Sequence, residues 1–311
     1  MTESADYYPT AEEVNGWCGS ILYRAEEADL KARVLDAETW PFRLGVRHTG
    51  GHYVEFTSDE LGTFYGFWQP CPSGRGPLLL HLPGYGSEMS AHPELVSDGY
   101  NVLHINPLGH ATPQGPDESK RPEGDWPVLP ETVHSLGERG YVDWLAQAAA
   151  ATLWARERNT VEEGRYAFFG SSQGGGTAML LSSIFTDAGV RAVAADVPFL
   201  TNFPMARDAA DGGAYGLALD AIDEEAAERP DDLPDAWRAL GFIDVMSHVH
   251  RLTMPTLLTA GAEDATCPPP TIEALFERLP GTRSYTRLAG QGHAYTMPFL
   301  HLAKAWFRVH V

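Results

Sequence analysis

One stretch near the middle of the chain constrains the fold more than any other. An apolar run at 166–169 leads into Gly170-Ser171-Ser172-Gln173-Gly174, and a second apolar run at 177–181 follows at once. The first run is typical of a buried parallel strand and the second of a helix start. The residues between them match G-x-S-x-G, which exposes a serine hydroxyl on a sharp strand-to-helix turn. The sequence therefore predicts Ser172 as a nucleophile.

The glycines of this motif have a steric purpose. Any side chain at Gly170 or Gly174 would crowd the close backbone approach that such a turn requires. The helix that follows is expected to direct backbone N–H groups and the positive end of its dipole towards the serine. A glycine-rich loop without chemistry would show the same five letters, and the flanking strand and helix favour the catalytic interpretation.

Further apolar or alternating runs recur along the chain, and helical patterns separate them. Strands are predicted at 53–57, 63–68, 77–82, 100–105, 190–196, 255–261 and 282–288. Helices are predicted at 26–35, 92–97, 141–159, 271–279 and 298–309. This alternation predicts an α/β fold, with a mostly parallel central sheet and helices on both faces. We expect one domain over 1–311, with a helical cap insertion at 200–250 and a long loop at 107–140 near the site.

Composition excludes several classes of partner. The chain has 311 residues and is 43% hydrophobic, which suits one large globular domain. Its net charge of −20 argues against binding to nucleic acid or anionic membranes. Three scattered cysteines, no signal-peptide pattern at 1–16 and no long apolar run lead us to expect a cytoplasmic protein.

A serine nucleophile needs a base within hydrogen-bond reach and a carboxylate that orients the base. In hydrolases with this motif the chain order is serine, acid, histidine. Asp264 follows the strand at 255–261, and His293 follows the last strand in a glycine-flanked loop. Glu263 and Asp196 are rival acids, and Asp264 is favoured because triad acids more commonly follow the later strand.

The negative oxygen of a tetrahedral intermediate also needs donors. One is expected from the backbone N–H of Gln173, and another from the turn Gly84-Tyr85-Gly86 after the strand at 77–82. Pro198 lies in a turn expected to line the acyl pocket. His110 and Trp126, from the long loop, are expected to contact the substrate.

The sequence patterns that could bind a cofactor or a metal each lack a required residue. Gly84-x-Gly86 follows a strand as in dinucleotide-binding folds, but Met89 occupies the third glycine position. The pairs His248-x-His250 and His48-x-x-x-His52 have no third ligand at a sensible spacing. We therefore expect no cofactor and no metal.

Four blocks of sequence, in order, resemble a known family. They are Gly84-Tyr85-Gly86, Gly170-Ser171-Ser172-Gln173-Gly174-Gly175, Asp196-Val197-Pro198-Phe199-Leu200 and Asp264-Ala265-Thr266-Cys267-Pro268-Pro269. The resemblance is to the acetyl xylan esterases and cephalosporin C deacetylases, a group of α/β-hydrolases.

The resemblance implies a role for each matching residue. Ser172 would be the nucleophile, Asp264 the acid and His293 the base, with oxyanion N–H groups from Tyr85 and Gln173. It also implies removal of a small acyl group, typically acetyl, from an oxygen of a sugar or other small molecule, and a homo-oligomer.

The sequence departs from this family at two places. Pro107-Leu108-Gly109-His110 stands where the family usually has Arg-Gly-Gln-Gly, and Ala294 stands where a glutamate usually follows the base. These changes predict a substrate other than an acetylated xylan-type sugar.

The favoured hypothesis is a serine esterase that acts on a small-molecule ester. A lyase that eliminates acetate and a non-catalytic binding protein are the alternatives. An alcohol product, an alkene product or an intact ligand would distinguish the three.

Overall fold

A nine-stranded sheet forms the centre of the described chain. The computed structural model describes residues 7–35, 50–84, 89–106, 111–117, 141–209, 215–216, 219 and 233–311. The sheet strands are β1 Lys31–Val34, β2 His52–Ser58, β3 Gly62–Gln69, β4 Gly76–Leu82, β5 Asn101–Asn106, β8 Val161–Ser171, β9 Ala192–Asp196, β10 Thr256–Gly261 and β11 Arg283–Leu288. Two short strands, β6 Ala111–Thr112 and β7 Gly115–Pro116, form a separate hairpin.

The sheet is antiparallel at one edge and parallel elsewhere. Its spatial order is β1-β2-β3-β5-β4-β8-β9-β10-β11. The pairings from β1 to β5 are antiparallel, and those from β5 through β4 and β8 to β11 are parallel. The predicted α/β fold with a mostly parallel sheet is therefore confirmed. Because β4, β8, β9 and β10 are parallel neighbours, the loops at their carboxyl ends meet at one edge.

Helices cover both faces of the sheet. They are α1 Ala11–Glu27, α2 Pro93–Ser97, α3 Tyr141–Arg156, α4 Gln173–Ile184, α5 Phe203–Ala209, α6 Leu233–Ile243, α7 Pro269–Arg278 and α8 Met297–His310. Along β8, Phe168 enters the core shared with α1, α3 and α4, whereas Phe169 enters the core shared with α2 and α8. This alternation follows from the two-residue period of a strand. Among the described helices, none combines the length and apolar character that crossing a bilayer requires.

The prediction of a helix at 26–35 was wrong. Helix α1 begins at Ala11, after a capping box in which Thr10 and Glu13 satisfy each other's backbone N–H groups. It ends at Glu27, and Asp29 follows with a φ of 41°. The next residues form β1, an exposed edge strand paired with β2. The T-x-x-E signature of this cap is present in the sequence at Thr10 and Glu13.

The two irregular regions are described only in part. Within 200–250 the described residues form α5, α6 and a 3₁₀ helix over Val245–Arg251, which contacts α4 and α7. Within 107–140 the described residues form the β6–β7 hairpin. Residues 210–214, 217–218 and 220–232 of the first region, and 107–110 and 118–140 of the second, lie outside the described residues.

Helix α4 approaches the loop after β9 as closely as backbone atoms allow. A Cβ atom on Gly176 would overlap the carbonyl oxygen of Phe199. By contrast, a Cβ on Gly19, on the exposed side of α1, would meet no atom within 4 Å. These two helical glycines therefore make a matched pair for testing how tightly α4 is packed.

We expect Gly176→Ala to lower the free energy of unfolding by about 3 kcal/mol or more, because backbone must shift to admit the methyl group. Gly19→Ala should raise it by roughly 0.5–1 kcal/mol, the helix propensity difference. Urea unfolding of both variants measures the two effects. Equal stability of Gly176→Ala and wild type would contradict the close packing of α4.

Candidate active site

Ser172 lies on the turn between β8 and α4 in a strained conformation. Its φ is 58° and its ψ is −124°, values that a residue with a side chain rarely adopts. Three backbone hydrogen bonds hold it there. Its N–H donates to the carbonyl of Asp196 (2.9 Å), and its carbonyl accepts from Phe199 (2.9 Å) and Gly176 (3.1 Å).

The glycines on either side make this turn sterically feasible. A Cβ on Gly170 would lie 2.5 Å from the carbonyl oxygens of both Leu82 and Gly174. A Cβ on Gly174 would overlap the same Leu82 oxygen and lie 2.5 Å from that of Pro83. The end of β4 therefore packs directly against the serine turn.

His293 lies between the serine and a carboxylate. Its Nε2 is 2.9 Å from Ser172 Oγ, and its Nδ1 is 2.9 Å from Asp264 Oδ2. A carboxylate only accepts, so Nδ1 carries the proton and donates it to Asp264. The lone pair on Nε2 then accepts from the Ser172 hydroxyl, as a general base requires.

Asp264 is held rigidly. It is 4% exposed, and its Oδ1 accepts the backbone N–H groups of Thr266 and Cys267, both at 2.8 Å. Its other oxygen is thereby directed at His293. Glu263, a rival acid in the sequence, is exposed.

The base loop packs directly on the acid loop. A Cβ on Gly261, the last residue of β10, would overlap the carbonyl of Gly292. The N–H of Glu263 donates to the carbonyl of Gln291 at 2.9 Å. Gly290 has a φ of 70°, which lets the chain turn back after β11. Parallel pairing of β10 and β11 thus brings Asp264 and His293 together.

Asp196, the other rival acid, faces different partners. Its two carboxylate oxygens accept from Ser171 Oγ (2.9 Å) and from Thr259 Oγ1. Burial raises the pKa of Asp196 to about 6, although these hydrogen bonds oppose the shift. Because the carboxylate is bonded to Ser171 and Thr259, it supports the end of β8 instead of orienting His293.

The loop after β9 carries strain that the sequence did not reveal. Val197, Leu200 and Asn202 have φ values of 37°, 65° and 57°. A positive φ is especially unfavourable for a β-branched residue such as Val197. Hydrogen bonds to Thr259 and Val245 hold this loop, and Pro198 is buried within it. Its Cα would lie 3.2 Å from a Cβ on Gly175, so Pro198 borders the first turn of α4.

Of the remaining predicted site residues, the structure describes Gln173. Gln173 is the first residue of α4, and its side-chain amide donates to the hydroxyl of Tyr141, which stacks on Trp144. This link between α3 and α4 was not predicted. Tyr85, His110 and Trp126 lie outside the described residues.

Histidines elsewhere in the chain have contacts that sequence spacing did not indicate. His248 is buried and bonds to Ser183 and to the carbonyl of Phe242, so it is structural. His48 is outside the described residues. Three other histidines, His81, His92 and His104, are buried together.

Comparison with known proteins identifies the family. The sequence matches the acetyl xylan esterase (AXE1) family over residues 67–311. The chain belongs to this family. With that membership and the α/β-hydrolase fold, it is a carboxylic ester hydrolase of the serine hydrolase type.

Solved structures of low sequence identity share the fold of this acetyl xylan esterase family member. Acetyl xylan esterase from Paenibacillus sp. R4 has a TM-score of 0.76 at 21% identity, over 100% of both chains. Acetyl Xylan Esterase 1 from Thermoanaerobacterium sp. JW/SL YS485 has a TM-score of 0.76 at 19% identity, over 96% of this chain and 94% of its own. The α/β hydrolase GrgF from Penicillium sp. sh18 has a TM-score of 0.58 at 19% identity, over 84% and 98%.

The two buried aspartates allow a matched test of the acid. Asp264→Asn should lower kcat by up to ~10⁴-fold, because an amide that donates to Nδ1 selects the wrong tautomer of His293. Asp196→Asn should lower it by less than ~10-fold, since that carboxylate bonds to hydroxyl groups that can rotate. Steady-state kinetics on an aryl acetate measures both, and a larger loss for Asp196→Asn would contradict the assignment.

The Asp196→Asn variant should also change how the free energy of unfolding depends on pH. A folded-state pKa of about 6 lies above the ordinary aspartate value, so the native state binds more protons between about pH 4 and 6. This contribution to stability is present at low pH and is lost as the pH rises through about 6. Unfolding from pH 4 to 7 should show Asp196→Asn gaining stability relative to wild type.

Proposed function

We propose that the protein is a serine esterase that removes a small acyl group, most simply acetyl, from an oxygen of a small molecule. The observation that carries this proposal is the continuous hydrogen-bonded line from Ser172 Oγ through His293 to Asp264, with 2.9 Å at each step. Family membership supports ester hydrolysis, and the reaction proceeds through an acyl-enzyme on Ser172.

The first half of the reaction makes the acyl-enzyme. His293 Nε2 takes the hydroxyl proton as Ser172 Oγ attacks the ester carbonyl and forms a tetrahedral oxyanion. When the intermediate collapses, the bond to the alcohol oxygen breaks, and His293 returns the proton to that oxygen. The alcohol leaves, and the acyl group remains on Ser172.

The second half repeats these steps with water. Nε2 accepts a proton from water, the hydroxide adds to the acyl carbon, and Ser172 Oγ leaves with the proton from His293. Asp264 accepts the Nδ1 proton of His293 and stabilises the imidazolium of each step. The backbone N–H of Gln173, at the start of α4, lies where the helix dipole favours negative charge. Tyr85 supplies the second N–H in this proposal.

The acyl side is restricted by packed backbone. Val197, Pro198 and Phe199 are buried directly after β9, and the N–H of Phe199 bonds to the Ser172 carbonyl. This loop cannot withdraw without breaking that bond and unpacking α4. We therefore propose that only short acyl chains fit, and that Pro198 forms part of the wall.

The side of the site proposed to hold the alcohol has exposed apolar side chains. Ala294, exposed beside the base, replaces the glutamate of the family pattern. Tyr295 and Met297 follow and are 46% and 54% exposed. Apolar side chains at this edge suit an alcohol with an aromatic or aliphatic body. We propose such a molecule, instead of an acetylated xylan, as the substrate.

A series of aryl esters tests the proposed function. We expect kcat/KM to fall by at least ~10-fold from acetyl to butyryl, a difference of two methylenes. The packed backbone that lines the proposed acyl pocket cannot move aside for a longer chain. Each substrate should release an alcohol and a carboxylic acid, and Ser172→Ala should abolish turnover. A rising profile towards octanoyl would contradict the short pocket, and an alkene product would contradict hydrolysis.

Acetylated xylo-oligosaccharides in the same assay test the alcohol side. Their kcat/KM should be well below that of the aryl acetate. Values of ~10⁴ M⁻¹s⁻¹ or more, within the range of typical enzymes, would show that sugars are good substrates.

A further inference from the structure

Three buried histidines converge beneath the edge of the sheet that carries Ser172. His81 on β4 and His104 on β5 are register partners on parallel strands, so their side chains share one face. His92 immediately precedes α2 and covers that face, with its backbone N–H bonded to Gln69 Oε1 at 2.7 Å. The three rings bring one nitrogen each to within 4.8 Å of one another.

The contact between His81 and His104 joins two ring nitrogens, and at least one of them must carry a proton. Their Nδ1 atoms are 2.7 Å apart. Two lone pairs repel each other at this distance, so one ring donates a proton to the other in this arrangement. A bound Zn²⁺ would replace that proton and separate the two nitrogens to about 3.3 Å, the spacing of two ligands around a tetrahedral ion. A proton satisfies only this one contact.

Other polar atoms around the cluster are left without partners. The Nε2 atoms of His92 and His104, and the side-chain nitrogen of Gln69, are buried and have no hydrogen-bond partner in the described part of the chain. An unsatisfied buried donor or acceptor costs about 1–3 kcal/mol, and native structures usually explain one by a water or an ion. The side chains of His92 and His104 are 5% and 0% exposed, so bulk water does not supply the missing hydrogen bonds.

The cluster is enclosed by an aromatic ring. A neutral imidazole offers one nitrogen lone pair that can coordinate a metal ion. Phe169 packs against His81 and His92, with ring centroids 4.7 and 5.2 Å away, and provides an apolar wall.

We propose that His81, His92 and His104 bind one Zn²⁺ ion. Neutral imidazole nitrogens without thiolate or carboxylate are a donor set that suits zinc, and three of them leave a fourth position for water. His81 and His92 retain 6% and 5% exposure, and the half-exposed Tyr295 ring is 6.4 Å from His81, so this side provides the entry path. The chain's net charge of −20 attracts divalent cations.

The ion would cross-link three segments of the chain. His81 and His92 stand at the two ends of the segment 82–91, which contains Gly84 and Tyr85. Coordination by both residues closes this segment into a loop and ties it to β5 through His104. Zinc binding at these three histidines does not rest on the proposed function.

A second cluster must be distinguished from this one. Asp264, Cys267 and His293 also bring ligand atoms within 4.8 Å of one another, so zinc bound there would block the triad. Cys267→Ser removes the thiol of that cluster and leaves the three histidines intact. His301→Gln, at an exposed position on α8, is the matched control for histidine substitutions.

The experiment adds Zn²⁺ or Co²⁺ to chelator-treated, full-length protein. We expect one equivalent to bind, with visible Co²⁺ absorption of a low-coordinate nitrogen site and a rise in Tm on the order of 5 °C at saturating zinc. His92→Gln and His104→Gln should weaken binding by at least ~10-fold. His301→Gln and Cys267→Ser should bind as wild type does.

Two results would overturn the proposal. One is the absence of a Co²⁺ spectrum and of a zinc-dependent Tm shift in wild type, which needs no variant and leaves a proton and water as the cluster's only occupants. The other is binding that survives His92→Gln, verified as folded by circular dichroism, but disappears in Cys267→Ser. That result would assign the metal to the triad.

Discussion

The site depends on one close backbone contact, between the end of β4 and the turn that carries Ser172. Gly170 and Gly174 allow the carbonyl oxygen of Leu82 to approach where any side chain would clash. This approach accompanies a positive φ at Ser172, and α4 begins at the next residue. The Ser172 hydroxyl lies 2.9 Å from His293 Nε2. The loop after β9 then bonds to the same turn, so the nucleophile is fixed by three neighbouring strands.

Hydrogen bonding decides which carboxylate serves the base. Asp196 and Asp264 are both buried; Asp196 is the last residue of β9, and Asp264 lies in the loop after β10. Hydroxyl groups bind the oxygens of Asp196, whereas backbone N–H groups occupy only one oxygen of Asp264 and leave the other for His293. The packing of Gly261 against Gly292 brings the base over this free oxygen. The two aspartates therefore differ in the groups that their oxygens face, since their burial is similar.

Sequence patterns predicted the fold and the Ser172, Asp264 and His293 grouping because these depend on local signals. A strand–glycine–helix motif and the order of strands carry that information. The strain at Val197, the bond from Gln173 to Tyr141 and the cluster of His81, His92 and His104 depend on strand register and on contacts between distant residues. Spacing along the chain does not encode these contacts. The start of α1 was missed for another reason, since its capping signal lay in a segment read as polar.

The central claim is that turnover passes through an ester of Ser172. Rapid acid quench of the enzyme during hydrolysis of an aryl acetate, followed by peptide mass spectrometry, tests it most directly. The account predicts one added acetyl group on the peptide containing Ser172, formed before the steady state and lost as substrate is exhausted. Continued turnover with no acetylated peptide, under conditions where release of the aryl alcohol shows a burst, would contradict the account. Transient acetylation at another residue would contradict it equally.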